Sequence, residues 1–119
     1  SSIKILVDAH VNKYSDIRAF YAISENKNFD PIYTPFPGYA NLNDRKQVIN
    51  PEDNNGLPDV YIPVSDFIGV SGENVDFREY TFTADQLPSF RSYRIKLVMT
   101  STNQVYVPRI KDLRVIALA

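Results

Sequence analysis

Ile3, Ile5, Val7, Ala9 and Val11 recur at every second position. Lys4, Asp8, His10 and Asn12 fall between them, with Leu6 the exception. Successive side chains of a strand point to opposite faces, so this period of two predicts a half-buried antiparallel strand. A polar turn over 12–16 follows. Ile17, Ala19, Tyr21 and Ile23 then share a face against Arg18, Phe20, Ala22 and Ser24, which predicts a second strand, closed by a turn at 25–28. Two more alternating runs lie further on. Over 76–83, Phe77, Glu79 and Thr81 oppose Arg78, Tyr80 and Phe82. After a connection at 84–88 with room for one helical turn, Tyr93, Ile95, Leu97 and Met99 oppose Arg94, Lys96, Val98 and Thr100. The chain turns at 101–104, and Pro108 blocks a continuous central strand. Leu113 to Ala119 is apolar on both faces except at Arg114. That pattern predicts a final strand covered on both sides.

Residues 29–65 contain Pro31, Pro35, Pro37, Pro51, Pro58 and Pro63. Proline has no N–H to give a ladder, so strands here are confined to edges and short pieces. Short strands are expected near Ile32–Thr34, Gln47–Ile49 and Val60–Val64, within a long surface excursion. Asn54-Asn55-Gly56 is a turn signal, because Asn and Gly tolerate positive φ. Helical period is missing apart from a possible turn at 65–68. Seven or eight short strands joined by turn-rich connections predict an all-β sandwich or barrel; of these the expectation is an antiparallel β-sandwich of the jelly-roll type, with a Greek-key winding the near alternative. The apolar first and last strands suggest that both termini meet in mid-sheet.

The 119 residues make one domain spanning 1–119, long enough to bury roughly two thirds of its unfolded surface. No cysteine is available for a disulfide or a thiolate metal site. A net charge of -1 offers no basic field for nucleic acid, and no apolar run approaches a membrane span. The sequence starts without Met and begins and ends inside strand patterns. The expectation is a segment cut from the C-terminal end of a longer chain, or a processed product, with the N-terminal part of the parent missing.

Candidate chemistry is sparse. Asp8, His10 and Asn12 share the polar face of the first strand, but His10 is the only His and a metal site usually needs three or four ligands. A surface strand face is the better reading. Asp44, Glu52, Asp53 and Asp59 cluster loosely, and Pro51–Gly56 is rich in oxygen, yet it lacks the ordered spacing of a Ca²⁺ loop. Arg109, Lys111, Asp112 and Arg114 read as charges that fix register and discourage edge pairing. Tyr (8) and Phe (7) are plentiful. Tyr33, Phe36 and Tyr39 lie in the proline-rich excursion, where an aromatic platform would stack on a glycan. The plainer reading is that they seal the sandwich edge. No catalytic set, phosphate loop or cofactor motif emerges, so neither enzymatic activity nor a cofactor is expected.

Two C-terminal runs carry a family resemblance: Phe90-Arg-Ser-Tyr-Arg-Ile-Lys-Leu-Val-Met-Thr-Ser-Thr-Asn-Gln104 and Val107-Pro-Arg-Ile-Lys-Asp-Leu-Arg-Val-Ile-Ala117. They resemble the end of large structural proteins of tailed phages, most of all those of T4-like and cyanophage-type contractile-tail viruses. Asp16–Tyr21, Phe36–Asn41, Asn55–Asp59 and Tyr80–Phe90 resemble further segments of the same pattern in the same order. The resemblance implies a non-enzymatic tail, baseplate or fibre module, located in the virion after assembly in the host cytoplasm. Its partners would be other virion subunits. The competing expectation is a carbohydrate-binding module for host-surface glycans, which rests on fold-level analogy.

Overall fold

The computed structural model describes residues 1–12, 14–25, 32–38, 54–60, 62, 77–102 and 108–118, and the backbone alone of 41–42 and 48–50. The described strands are β1 (Ser2–His10), β2 (Ser15–Ser24), β3 (Thr34–Pro35), β4 (Asn41–Leu42), β5 (Val48–Asn50), β6 (Arg78–Ala84), β7 (Ser92–Ser101) and β8 (Arg109–Leu118). No described residue is helical. Two antiparallel three-stranded sheets, in the orders β6-β1-β8 and β3-β2-β7, form the body, and β4 and β5 make a separate antiparallel ribbon.

The period of two places the core. Ile3, Ile5, Val7 and Ala9 of β1 are at most 1 % exposed, and Tyr80, Phe82 and Ala84 of β6 lie beside them. Ile17 and Ala19 come from the other sheet, with Tyr21 and Ile23 packed partly against the same cluster. The apolar faces of the two sheets thus share one core, as in a β-sandwich. Each fully buried Val, Ile or Phe side chain among them contributes about 1.5–3 kcal/mol.

One side of this sandwich is closed by the excursion. Ala19 N–H donates to Gly56 O (2.8 Å) and Phe36 N–H to Ala19 O (3.0 Å). Forty residues and one sheet away, Asp59 N–H donates to Thr81 O (2.7 Å), while Thr83 N–H donates to Asp59 Oδ1 (3.0 Å). Residues 56–59 therefore run from β2 of one sheet to β6 of the other. Within this stretch Leu57 and Pro58 are buried. Among the described residues, the two flanking edges receive these hydrogen bonds without a further full strand.

The other side, between β7 and β8, is open among the described residues. Ile95, Leu97, Ile110, Val115 and Ala117 pack on the core but are only partly buried. Tyr93 and Met99 stand opposite Ile23 and Ile17, and Leu113 stands opposite Val7, so all three face inward. They are nonetheless 41 %, 46 % and 46 % exposed.

Several expectations are corrected. The last strand is not covered on both sides among the described residues: β8 pairs there with β1 alone, and Ile116 and Leu118 are 49 % and 63 % exposed. A strand apolar on both faces reads as central from sequence, but here it lies at the sheet edge among the described residues. Of the first and last strands, only the first runs mid-sheet among the described strands. β8 also begins at Arg109, immediately after Pro108, because a proline outside the ladder costs no hydrogen bond. The short strand expected at Ile32–Thr34 sits at Thr34–Pro35. Val60 and Ile62 are not in a strand, and 85–88 forms no helical turn. The expected turn at 65–68 lies outside the described residues.

Candidate functional site

His10 and Asn12 are not on a surface strand face. His10 is 2 % exposed and Asn12 is 1 % exposed. A bulge lies at this end of β1, where Asp8 pairs with Asp112 but Ala9 pairs with Ile110, so Lys111 is passed over. Phe77 packs edge-on against the His10 ring at 6.5 Å, and Lys111 Nζ lies 5.7 Å from the centre of the Phe77 ring. Asn12 is buried because its side chain makes an Asx turn, accepting the Tyr14 N–H at Oδ1 (2.9 Å). Ser15 Oγ accepts the Asn12 N–H at 3.0 Å. These residues build the corner where the chain leaves one sheet for the other. Asp8 stays half-buried in mid-strand, and the three do not converge on a ligand.

Among the described residues, no three His, Cys, Asp or Glu side chains are placed to hold a metal ion. Asp44, Glu52 and Asp53 lie outside the described residues. Asp59 is engaged with Thr83, as given above.

The aromatic trio is divided. Phe36 is fully buried and so is corrected as a platform: it meets Tyr21 edge-on at 5.1 Å and Phe82 at 6.1 Å. Tyr33 is half-buried. Lys96 Nζ sits 5.3 Å from the centre of the Tyr33 ring and 5.9 Å from that of Phe20, within cation–π range of both. Tyr39 lies outside the described residues. Burial raises the Tyr21 phenol above its ordinary pKa.

The excursion does shape one groove, of about 460 Å³, between Pro37, Gly38, Asn54, Asp59, Thr83, Asp85 and Gln86. Its described lining carries two carboxylates, two amides and a hydroxyl, and no cation. That set suits a neutral, hydroxyl-bearing ligand better than an anion. Two rim residues hold left-handed backbone, Asn54 at φ 42° and Gln86 at φ 57°. Asn adopts that region more readily than Gln, which does so rarely. Sequence reading missed Gln86, since nothing in Ala84-Asp85-Gln86-Leu87 requires positive φ. A second groove, of about 470 Å³, opens where Glu25, Ser89, Phe90 and Arg91 meet.

Arg18 ties the excursion down from β2: Nη1 donates to Asn55 O (2.9 Å) and Nε to Asp16 Oδ2 (2.8 Å). The loop segments around Phe36 and Asn55 are thus part of the scaffold where they are described. The chain matches no known family model, no curated protein and no solved structure.

Proposed function

We propose that this domain is a non-enzymatic structural module of a tailed-phage virion protein, a tail, baseplate or fibre component that acts in assembly or surface presentation. The observation that carries the reading is where the resemblance falls. Its strongest runs, Phe90–Gln104 and Val107–Ala117, take in β7 and all of β8 but Leu118, the two strands whose inward apolar side chains remain partly exposed among the described residues. A face of that kind suits packing against neighbouring virion subunits. A jelly-roll winding belongs to the same reading. β1 pairs with β8, β2 with β7 and β4 with β5, a nested order expected when a long hairpin wraps into a sandwich.

An antibody raised against the domain should decorate the tail region of intact particles of the parent virus. Purified particles lacking the domain, or a parent gene far from any tail or baseplate genes, would overturn the proposal. No described helix is long and apolar enough to cross a membrane.

A second reading, binding of a host-surface glycan, is favoured by the polar groove at Asp59, Asp85 and Gln86. It is tested on a glycan array with wild type and Asp85→Ala. Selective signal lost in the variant supports it, and equal signal across all glycans counts against it.

A further inference from the structure

β8 presents an outer edge that pairs with no other described strand. Leu113, Ile116 and Leu118 along it are about half exposed or more. Its charges are also poorly matched within one chain. Asp8 stands opposite Glu79 on one side and Asp112 on the other, a row of three carboxylates across the sheet. Like charges directly opposite one another destabilise a sheet. Among the described residues, Arg114 approaches this row, 3.6 Å from Glu79, with both side chains more than half exposed. Such a pair contributes little.

We propose that this edge is a self-association surface, on which β8 of one copy pairs antiparallel with β8 of a second copy about a two-fold axis at Leu113. In that register Asp112 faces Arg114 of the second copy and Arg114 faces its Asp112, so the symmetric contact makes the same ion pair twice. Within the paired stretch no cation meets another. An axis at Arg114 would set arginine against arginine. An axis at Val115 would set Arg114 against Ile116 and gain no ion pair. The bulge at Lys111 limits the regular central ladder to Asp112, Leu113 and Arg114, and Leu113 packs on its own symmetry mate at the mouth of the open core. A two-fold contact of one patch with itself is the commonest form of homo-oligomer. The β6-β1-β8 sheet would continue through the dimer as six strands. The proposal does not depend on the virion reading.

The test is a charge swap followed by sedimentation equilibrium of the whole 119-residue chain. Wild type should dimerise as concentration rises. Asp112→Arg or Arg114→Asp alone sets like charges opposite twice and should weaken the dimer about tenfold. The double variant D112R/R114D restores opposite charges and should dimerise like wild type. A role within one chain predicts a different pattern, because Asp112→Arg then relieves the carboxylate row and only raises the melting temperature. Wild type monomeric at every concentration overturns the proposal, as does a double variant that associates no better than the single ones. Slow hydrogen exchange, in a monomeric sample, of those β8 amides that point away from β1 would assign the edge to a segment of the same chain and overturn it equally.

Discussion

Ala19 and Gly56 are joined by a 2.8 Å backbone hydrogen bond that closes a ring of three. Ala19 donates to Gly56, Gly56 donates to Phe36 at 2.9 Å, and Phe36 donates to Ala19 at 3.0 Å. β3 leaves β2 at this point, and the ring fills the ladder where the strand ends. Gly56 holds φ 79°, and a Cβ there would lie 3.0 Å from Ala19 O. Gly56→Ala should therefore lower stability by about 1–3 kcal/mol, from left-handed backbone and the crowded carbonyl together. Urea unfolding reads this as a lower midpoint at unchanged slope. A midpoint equal to wild type would show that the ring does not hold the excursion.

Phe36 and Tyr33 separate packing from presentation. Phe36 is enclosed by Tyr21 and Phe82, so Phe36→Ala should cost about 3–5 kcal/mol. Tyr33 is half-buried beneath Lys96, and Tyr33→Ala should cost about 1 kcal/mol or less. Calorimetry on the two variants gives the comparison directly. Equal melting temperatures would contradict the packing assigned to Phe36.

The alternation of β1, β2, β6 and β7 was legible because period two depends only on neighbours in sequence. Ile3, Ile5, Val7, Ile17, Ala19 and Phe82 follow it into the core. Position within a sheet was not legible in the same way. Apolar residues on both faces of Val115–Leu118 suit a central strand and an uncovered edge equally. His10 and Asn12 departed from the pattern because a bulge and an Asx turn end the alternation there, and both depend on partners remote in sequence or on side-chain geometry. The groove brings Gly38, Asp59 and Asp85 together from three segments, and no spacing in the sequence announces that meeting.

Tyr21 gives stability an alkaline limit. Burial raises its phenol pKa in the folded chain above the ordinary value. The folded state then holds this proton more tightly than the unfolded state. Its contribution is complete below the unfolded value of about 10 and is lost as pH rises through the higher folded value. Melting temperature should fall across that window, and Tyr21→Phe should flatten this part of the fall. Tyrosinate absorbance during an alkaline titration should show Tyr21 ionising later than the exposed tyrosines; its ionisation with the rest would remove the basis of the effect.

The corner between β1 and β2 couples the two sheets through Asn12. Its Oδ1 accepts the Tyr14 N–H, and Tyr14 O in turn accepts from Thr102 N–H at 2.8 Å and Thr102 Oγ1 at 3.2 Å. Thr102 follows β7, so the crossover out of β1 is pinned beside the start of the crossover into β8. Asn12→Ala removes the acceptor for Tyr14 at a side chain that is 1 % exposed, and should cost about 1–3 kcal/mol. Ser15→Ala removes the reciprocal Oγ contact to Asn12 N–H and should cost about 1 kcal/mol. Because both substitutions loosen one corner, the double variant should lose less than the two single losses added, with a coupling of about 0.5 kcal/mol or more. A double-mutant cycle by urea unfolding measures it. Strict additivity would mean that Asn12 and Ser15 hold the corner independently, and that the turn is not one cooperative unit.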